Sequence, residues 1–157
     1  MDSQIAQLKR NMFTAAWLAQ PDELAAECIK EPFPTNGDRV GAAEVAKRHD
    51  LTSFTFLGFV TQAIAANWHG KSPAQLKEIA DKVGRERIMV IHGTQDQMIT
   101  FPHAKFLLAG LGGEDAGVTA HFVEGQGHVI PIEMRETFGK WLTELIEKSE
   151  KANSAAL

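Results

Sequence analysis

The stretch Ile88-Met89-Val90-Ile91-His92-Gly93-Thr94-Gln95-Asp96 decides the fold of this chain. Its uninterrupted apolar run over 88–91 is typical of a parallel β-strand that is buried on both faces. The residues that follow predict a loop that carries a carboxylate. A second segment of the same form comes later: Val118 to Val123 predicts a strand, and Gly125-Gln126-Gly127-His128 predicts the loop after it.

A helical pattern separates and flanks the two predicted strands. Pro102 to Leu111 predicts a helix that ends at Leu111-Gly112-Gly113. Before the first strand, Ser72-Pro73-Ala74-Gln75 predicts a capped helix with Leu76, Ile79 and Val83 on one face. Pro131 to Lys148 predicts a last amphipathic helix. The fold class is therefore α/β, a βαβ unit of a parallel sheet followed by a carboxyl-terminal helix.

The first half, up to about Trp68, predicts only helices and loops. Each segment combines a start signal with apolar residues at helical spacing, or is rich in turn residues. The first is a helix capped by Ser3, with apolar positions Ile5, Leu8, Met12 and Ala15, and the second is a short helix beginning near Pro21, with Leu24, Ala25, Cys28 and Ile29. A loop over Glu31–Gly37 and a weak helix over Val40–His49 follow. The last is a helix capped by Thr52 or Ser53, with apolar positions Phe56, Phe59, Val60, Ile64 and Trp68.

Length and charge exclude several functional classes. A chain of 157 residues has the size of one domain, and its formal charge of −4 comes from mixed acidic and basic residues. There is no basic stripe for nucleic acid, no apolar stretch long enough to span a membrane, and no secretory signal. With Cys28 as the only cysteine, an internal disulfide is impossible. We expect a cytoplasmic protein.

The two strand-end loops carry Asp96 and His128. The carboxyl ends of parallel strands meet at one edge of a sheet, so we expect both side chains to project to the same rim if the strands are neighbours. An aspartate there orients an imidazole that acts as a general base. We also expect Gly93 to permit a sharp exit from the strand, and Gly125 and Gly127 to let the chain turn before His128.

These residues resemble the α/β-hydrolase family. Residues 90–99 look like its acid-bearing strand and loop, residues 125–128 look like its histidine loop, and the order of acid and histidine matches. The resemblance implies a partial α/β-hydrolase fold, in which residues 71–149 are the carboxyl-terminal part of the core and residues 150–157 are a polar tail. Residues 1–70 resemble a helical cap (lid) segment, with Phe59, Gln62 and His69 lining the pocket.

The family's nucleophile is missing from the sequence. The five serines, none of which stands in a Gly-x-Ser-x-Gly elbow, are Ser3, Ser53, Ser72, Ser149 and Ser154. The resemblance thus implies hydrolysis of an ester, lactone or related carbonyl compound, with only the acid and base present here. It implies no cofactor, and a small-molecule substrate when the full enzyme is assembled. An open parallel edge also predicts association through the sheet edge and poor solubility of the chain alone.

Other interpretations stay open. Asp96 could serve a turn or a helix cap, and His128 could be structural. His92 is expected to be a strand-end residue satisfied by nearby backbone, His103 to lie on the surface, and His121 to be packed or exposed. The chain could also be a catalytically inactive truncated remnant or an interaction module. A small metal-dependent enzyme is a weaker alternative, because the histidines lack a metal-binding spacing.

Overall fold

The chain divides into two compact units, Met1–Gly70 and Lys71–Leu157. A computed structural model describes residues 2–23, 33–50, 52 and 55–155. The described residues of the first unit form helices and loops, and those of the second surround a two-stranded parallel sheet with helices. The molecule is therefore mostly helical and broadly of the α/β class. In the described part, no helix combines the length and apolarity needed to cross a membrane.

The first unit contains four described helices. They are α1 (Asp2–Met12), α2 (Ala15–Leu18), α3 (Asn36–His49) and α4 (Phe56–Trp68). The buried apolar residues among those described are Ile5, Phe13, Trp17 and Val40. The rings of Phe13 and Trp17 stack with their centroids 5.0 Å apart.

Several predicted helix starts in this unit are wrong by a few residues. Helix α1 already begins at Asp2, so Ser3 is not its cap. The cap of α4 is Thr55, whose Oγ1 accepts a hydrogen bond from Gly58 N at 3.1 Å. The Asn36-Gly37 pair is the first turn of α3 instead of a loop, because Thr35 caps that helix. The predicted helix through Cys28 and the alternative cap Ser53 lie outside the described residues.

The second unit realises the predicted βαβ order. Its elements are α5 (Pro73–Val83), β1 (Met89–Gly93), α6 (Phe101–Leu111), β2 (Thr119–Val123), α7 (Ile130–Glu133) and α8 (Arg135–Ala155), with short 3₁₀ turns at Arg85–Arg87 and Glu114–Ala116. Strands β1 and β2 pair in parallel, in a register that sets Met89 opposite Thr119 and Gly93 opposite Val123. Both strands consequently end at the same edge of the sheet.

The core of this unit lies between the sheet and helices α5 and α6. Leu76, Ala80, Val90, Leu111 and Val118 are its buried members. The predicted capping box of α5 is present, since Ser72 and Gln75 exchange side-chain to backbone hydrogen bonds. The predicted inner face is wrong in part: Ile79 and Val83 are exposed, and α5 buries Leu76 with Ala80 instead.

The last predicted helix is divided in two. A break at Met134 separates the single-turn α7 from α8, and α8 continues beyond Lys148 to Ala155. The ring of Trp141 on α8 stacks on His121 of β2, with centroids 4.1 Å apart and an interplanar angle of 8°. This contact places α8 against the sheet.

Candidate active site

Asp96 is a buried carboxylate in the loop after β1, with only 6% of its surface exposed. Its Oδ1 accepts hydrogen bonds from the backbone amides of Met98 at 2.7 Å and Ile99 at 2.9 Å. These bonds are the turn chemistry that the sequence left open for this residue. They occupy one oxygen and fix the direction of the other.

The second oxygen of Asp96 meets His128. The Nδ1 atom of His128 lies 2.8 Å from Asp96 Oδ2, and the His128 side chain is 31% exposed at the rim. Because a carboxylate can only accept, the proton of this hydrogen bond lies on Nδ1, and Nε2 of the neutral ring is the basic atom. The structure thus brings the two predicted site residues into direct contact, in the geometry of an oriented general base.

Hydrogen bonds join the two loops to each other. Thr94 N donates to Val123 O and Gln95 N donates to Gln126 O, each at 3.0 Å. In the opposite direction, Gly125 N donates to Thr94 Oγ1 at 3.0 Å. These bonds extend the pairing of the strands past their ends, so the positions of Asp96 and His128 depend on the loops as a unit.

Position 93 requires glycine, but not because the chain makes the predicted sharp exit from β1 there. Its φ is not positive, whereas Gly125 in the second loop has a φ of 75° and makes the predicted turn. A Cβ at position 93 would lie 2.2 Å from Gln126 O and 2.3 Å from Gly127 O. The backbone of residues 126 and 127, in the loop that carries His128, therefore packs directly against Gly93.

His92, on β1, also contacts Asp96. Its Nδ1 lies 2.8 Å from Gly93 O, as expected for a strand-end residue satisfied by backbone. Its Nε2 lies 3.4 Å from Asp96 Oδ2, a contact that the sequence did not predict. The spacing of four residues between His92 and Asp96 was visible in the sequence, but only the fold of the loop shows that it brings the two side chains together.

An open pocket of about 310 Å³ surrounds these side chains. Its polar lining comes from His92, Asp96 and His128. The remaining lining is Ile91, Gly93, Ile99, Ile130, Pro131 and Phe138. A small molecule with an apolar part beside a reactive polar group fits this lining. The predicted pocket residues Phe59 and Gln62 lie on α4 of the first unit, followed by His69.

Three serines in the described part of the chain make hydrogen bonds to partners other than His128. Ser72 accepts from Gln75 N, while Ser149 and Ser154 donate to the carbonyls of Leu145 and Glu150. Residues 113–117 have the form Gly-x-Asp-x-Gly, with an aspartate where the elbow has its serine, but they form a 3₁₀ turn that leads into the amino end of β2. Asp96 and His128 follow the carboxyl ends of the strands, so this pattern is no nucleophile elbow.

The hydrogen bonds stabilise Asp96 in its charged form. Burial is the largest single influence and raises the pKa of Asp96, but hydrogen bonds from His128 and from the Ile99 and Met98 amides together outweigh it. The pKa of Asp96 in the folded protein therefore lies below its ordinary value of 3.8.

A testable consequence is acid sensitivity. The lowered pKa of Asp96 contributes stability above pH 3.8 that is lost as the pH falls through the folded-state value. Asp96→Asn is expected to destabilise the second unit by about 1.5–3 kcal/mol at pH 7, and the deficit should shrink below about pH 4. Urea unfolding at several pH values, followed by fluorotryptophan NMR of Trp141, measures this. The exposed Asp115 provides the control substitution Asp115→Asn, and a deficit that persists unchanged at pH 3 would contradict the assignment.

No protein-family model, curated protein or solved structure matches this chain. The relation to α/β-hydrolases accordingly stays a prediction. In the part of the chain that the structure describes, no group of three or more His, Cys, Asp or Glu side chains is arranged to hold a metal ion.

Proposed function

We propose that this chain supplies the acid and the general base of an α/β-hydrolase, and that a serine outside this sequence is the nucleophile. The assembled enzyme hydrolyses an ester, a lactone or a related carbonyl compound. The observation that carries the proposal is the 2.8 Å contact between His128 Nδ1 and Asp96 Oδ2, at the ends of two paired parallel strands. Residues 71–149 are then part of the hydrolase core, and residues 1–70 are a cap segment.

The proposed chemistry follows from the protonation of the pair. The serine Oγ attacks the carbonyl carbon while His128 Nε2 takes the Oγ proton, and Asp96 stabilises the resulting imidazolium. The same nitrogen returns the proton to the leaving oxygen as its bond to carbon breaks. A water molecule then repeats the sequence on the acyl-enzyme and releases the acid. His128 can play this part because its ring lies at the exposed rim while Asp96 is buried behind it.

The pocket supports an apolar acyl or alcohol group in the substrate. Ile99, Ile130 and Phe138 line it together with the polar pair. Apolar side chains that surround a few converging polar groups are the usual lining of a small-molecule site. The proposal therefore favours a carbonyl substrate with a hydrocarbon portion over a highly charged one.

A serine-reactive fluorophosphonate probe tests the proposal. The native protein is captured from its source through this sequence, with everything that is covalently or tightly bound to it, and is then labelled. We expect a labelled serine upstream of Met1 or on an associated chain. His128→Ala should slow labelling by about 10³-fold or more. His103→Ala is the matched control, because this histidine is exposed near the start of α6, and it should leave the rate unchanged.

The alternative is an inactive remnant or an interaction module. The apolar helix α4 favours it, since none of its residues is buried and Phe56 and Trp68 are each 82% exposed. Absence of any labelled serine in the captured material, or labelling that does not depend on His128, would contradict the hydrolase proposal and favour this alternative.

A further inference from the structure

One oxygen of Asp96 faces two imidazole rings. Oδ1 is occupied by the amides of Met98 and Ile99, whereas Oδ2 lies 2.8 Å from His128 Nδ1 and 3.4 Å from His92 Nε2. The His92 side chain is 13% exposed, and its Nε2 is buried and makes no hydrogen bond to a described residue. The carboxylate therefore has one aligned ring partner and a second ring at the edge of hydrogen-bond distance.

The protons on His92 follow from its neighbours. Its Nδ1 lies 2.8 Å from Gly93 O, which can only accept, so Nδ1 carries a proton. In the neutral ring Nε2 then bears a lone pair, and this lone pair faces another acceptor, Asp96 Oδ2. Only the doubly protonated ring presents a donor to both oxygens. Each proton that His92 gains or loses at Nε2 thus changes the electrostatic environment of Oδ2 directly.

We propose that His92 and His128 are coupled through Oδ2 of Asp96, and that His92 is a positioning residue that regulates how strongly Asp96 holds His128. When His92 takes up its second proton, its Nε2–H attracts Oδ2, and the carboxylate is shared between two cationic rings. Proton uptake by His128 is then less favourable. The inference deepens the proposed function and rests on it for its catalytic meaning, because the general base of that reaction is His128.

Few other charged groups near His92 could produce an apparent coupling between His92 and His128. The titratable or charged groups that the described contacts place around its ring are Asp96, from the loop after its own strand, and His128, from the loop after β2. On the side of α6, Phe101 packs against it with ring centroids 6.0 Å apart, and Lys105 Nζ lies 4.6 Å from the Phe101 centroid. The Phe101 ring therefore separates Lys105 from His92, and removing the Lys105 charge serves as the control for removing His92.

The test is an NMR titration of the histidine rings in the full chain, without substrate or nucleophile. In the wild type we expect the His128 and His92 signals each to report two steps, as two strongly interacting sites do. His92→Phe keeps an aromatic ring beside Phe101 and should reduce the His128 curve to one step. Lys105→Met should leave both steps in place.

The reciprocal variant keeps the test decisive if His92→Phe fails to fold. Coupling is mutual, so His128→Gln at the exposed rim should reduce the His92 curve to one step. A one-step His128 titration in the wild type that is unchanged in the His92 variant would overturn the coupling. A two-step titration in a protein that never yields a His128-dependent serine label would support the coupling and contradict the proposed function.

Discussion

Gly93→Ala is expected to disrupt the candidate active site and to destabilise the second unit by about 3 kcal/mol or more. The added Cβ would lie 2.2 Å from Gln126 O and 2.3 Å from Gly127 O, and both obstacles are backbone atoms that cannot rotate away. Overpacking of this kind costs about 1–3 kcal/mol where side chains can yield, and more where they cannot. Because His128 follows Gly127 directly, moving that backbone also breaks its hydrogen bond to Asp96.

Two measurements separate the local effect from the global one. Urea unfolding followed by fluorotryptophan NMR of Trp141 gives the stability of the second unit, and hydrogen exchange of the amides of residues 94 and 95 reports on the loops. Gly139→Ala is the matched control. A Cβ at position 139 meets nothing within 4 Å, and the residue lies inside α8. This control should stabilise the protein by about 0.5–1 kcal/mol. Equal stabilities of Gly93→Ala and Gly139→Ala would show that the backbone of residues 126 and 127 does not pack closely against Gly93.

The strands and the pairing of Asp96 with His128 could be predicted because their signals are local. An apolar run of strand length, followed at once by glycine and a polar residue, predicts both a buried strand and the group at its end. Parallel pairing then brings the two strand ends together whatever the rest of the chain does. The bounds of β1 and β2 accordingly differ from the predicted ones by only one or two residues.

Most of what the sequence did not predict depends on contacts between distant residues. The need for glycine at position 93 arises from the backbone of residues 126 and 127, which no local pattern around Gly93 reveals. The Nε2 contact of His92 is local, but it depends on the turn in which the Met98 and Ile99 amides bind Asp96 Oδ1, and the spacing of the residues alone does not reveal that turn. The exposure of Ile79 and Val83 again depends on distant contacts, since the position of α5 on the sheet decides which apolar stripe it buries.

Arg39→Met is expected to destabilise the first unit by about 3–5 kcal/mol. Arg39 Nε lies 2.5 Å from Asp22 Oδ1, and the Asp22 side chain is fully buried. The guanidinium also donates to Asn36 Oδ1 at 3.2 Å and lies 5.9 Å from the centroid of the Trp17 ring. Methionine keeps most of the apolar stem but removes the cation, so the buried Asp22 carboxylate loses its ion pair with Arg39. Urea unfolding monitored by fluorotryptophan NMR of Trp17 measures the loss.

Lys47→Met is the control, because it breaks the exposed pair between Lys47 and Glu44, which should contribute less than about 1 kcal/mol. The double variant Asp22→Asn with Arg39→Met removes both charges and should recover part of the stability, since removing one partner of a buried ion pair costs more than replacing both.

The polar cluster matters for the first unit because of where it lies in the chain. Asp22 Oδ2 accepts from Phe33 N at 3.4 Å, and Asn36 Oδ1 accepts from Glu23 N at 3.0 Å, so these bonds join the residues on either side of 24–32. Among the described residues of this unit the buried apolar side chains are few, and we therefore expect its stability to depend strongly on the ion pair. If Arg39→Met and Lys47→Met proved equally mild, the ion pair would not stabilise the first unit, and the buried carboxylate would need another explanation.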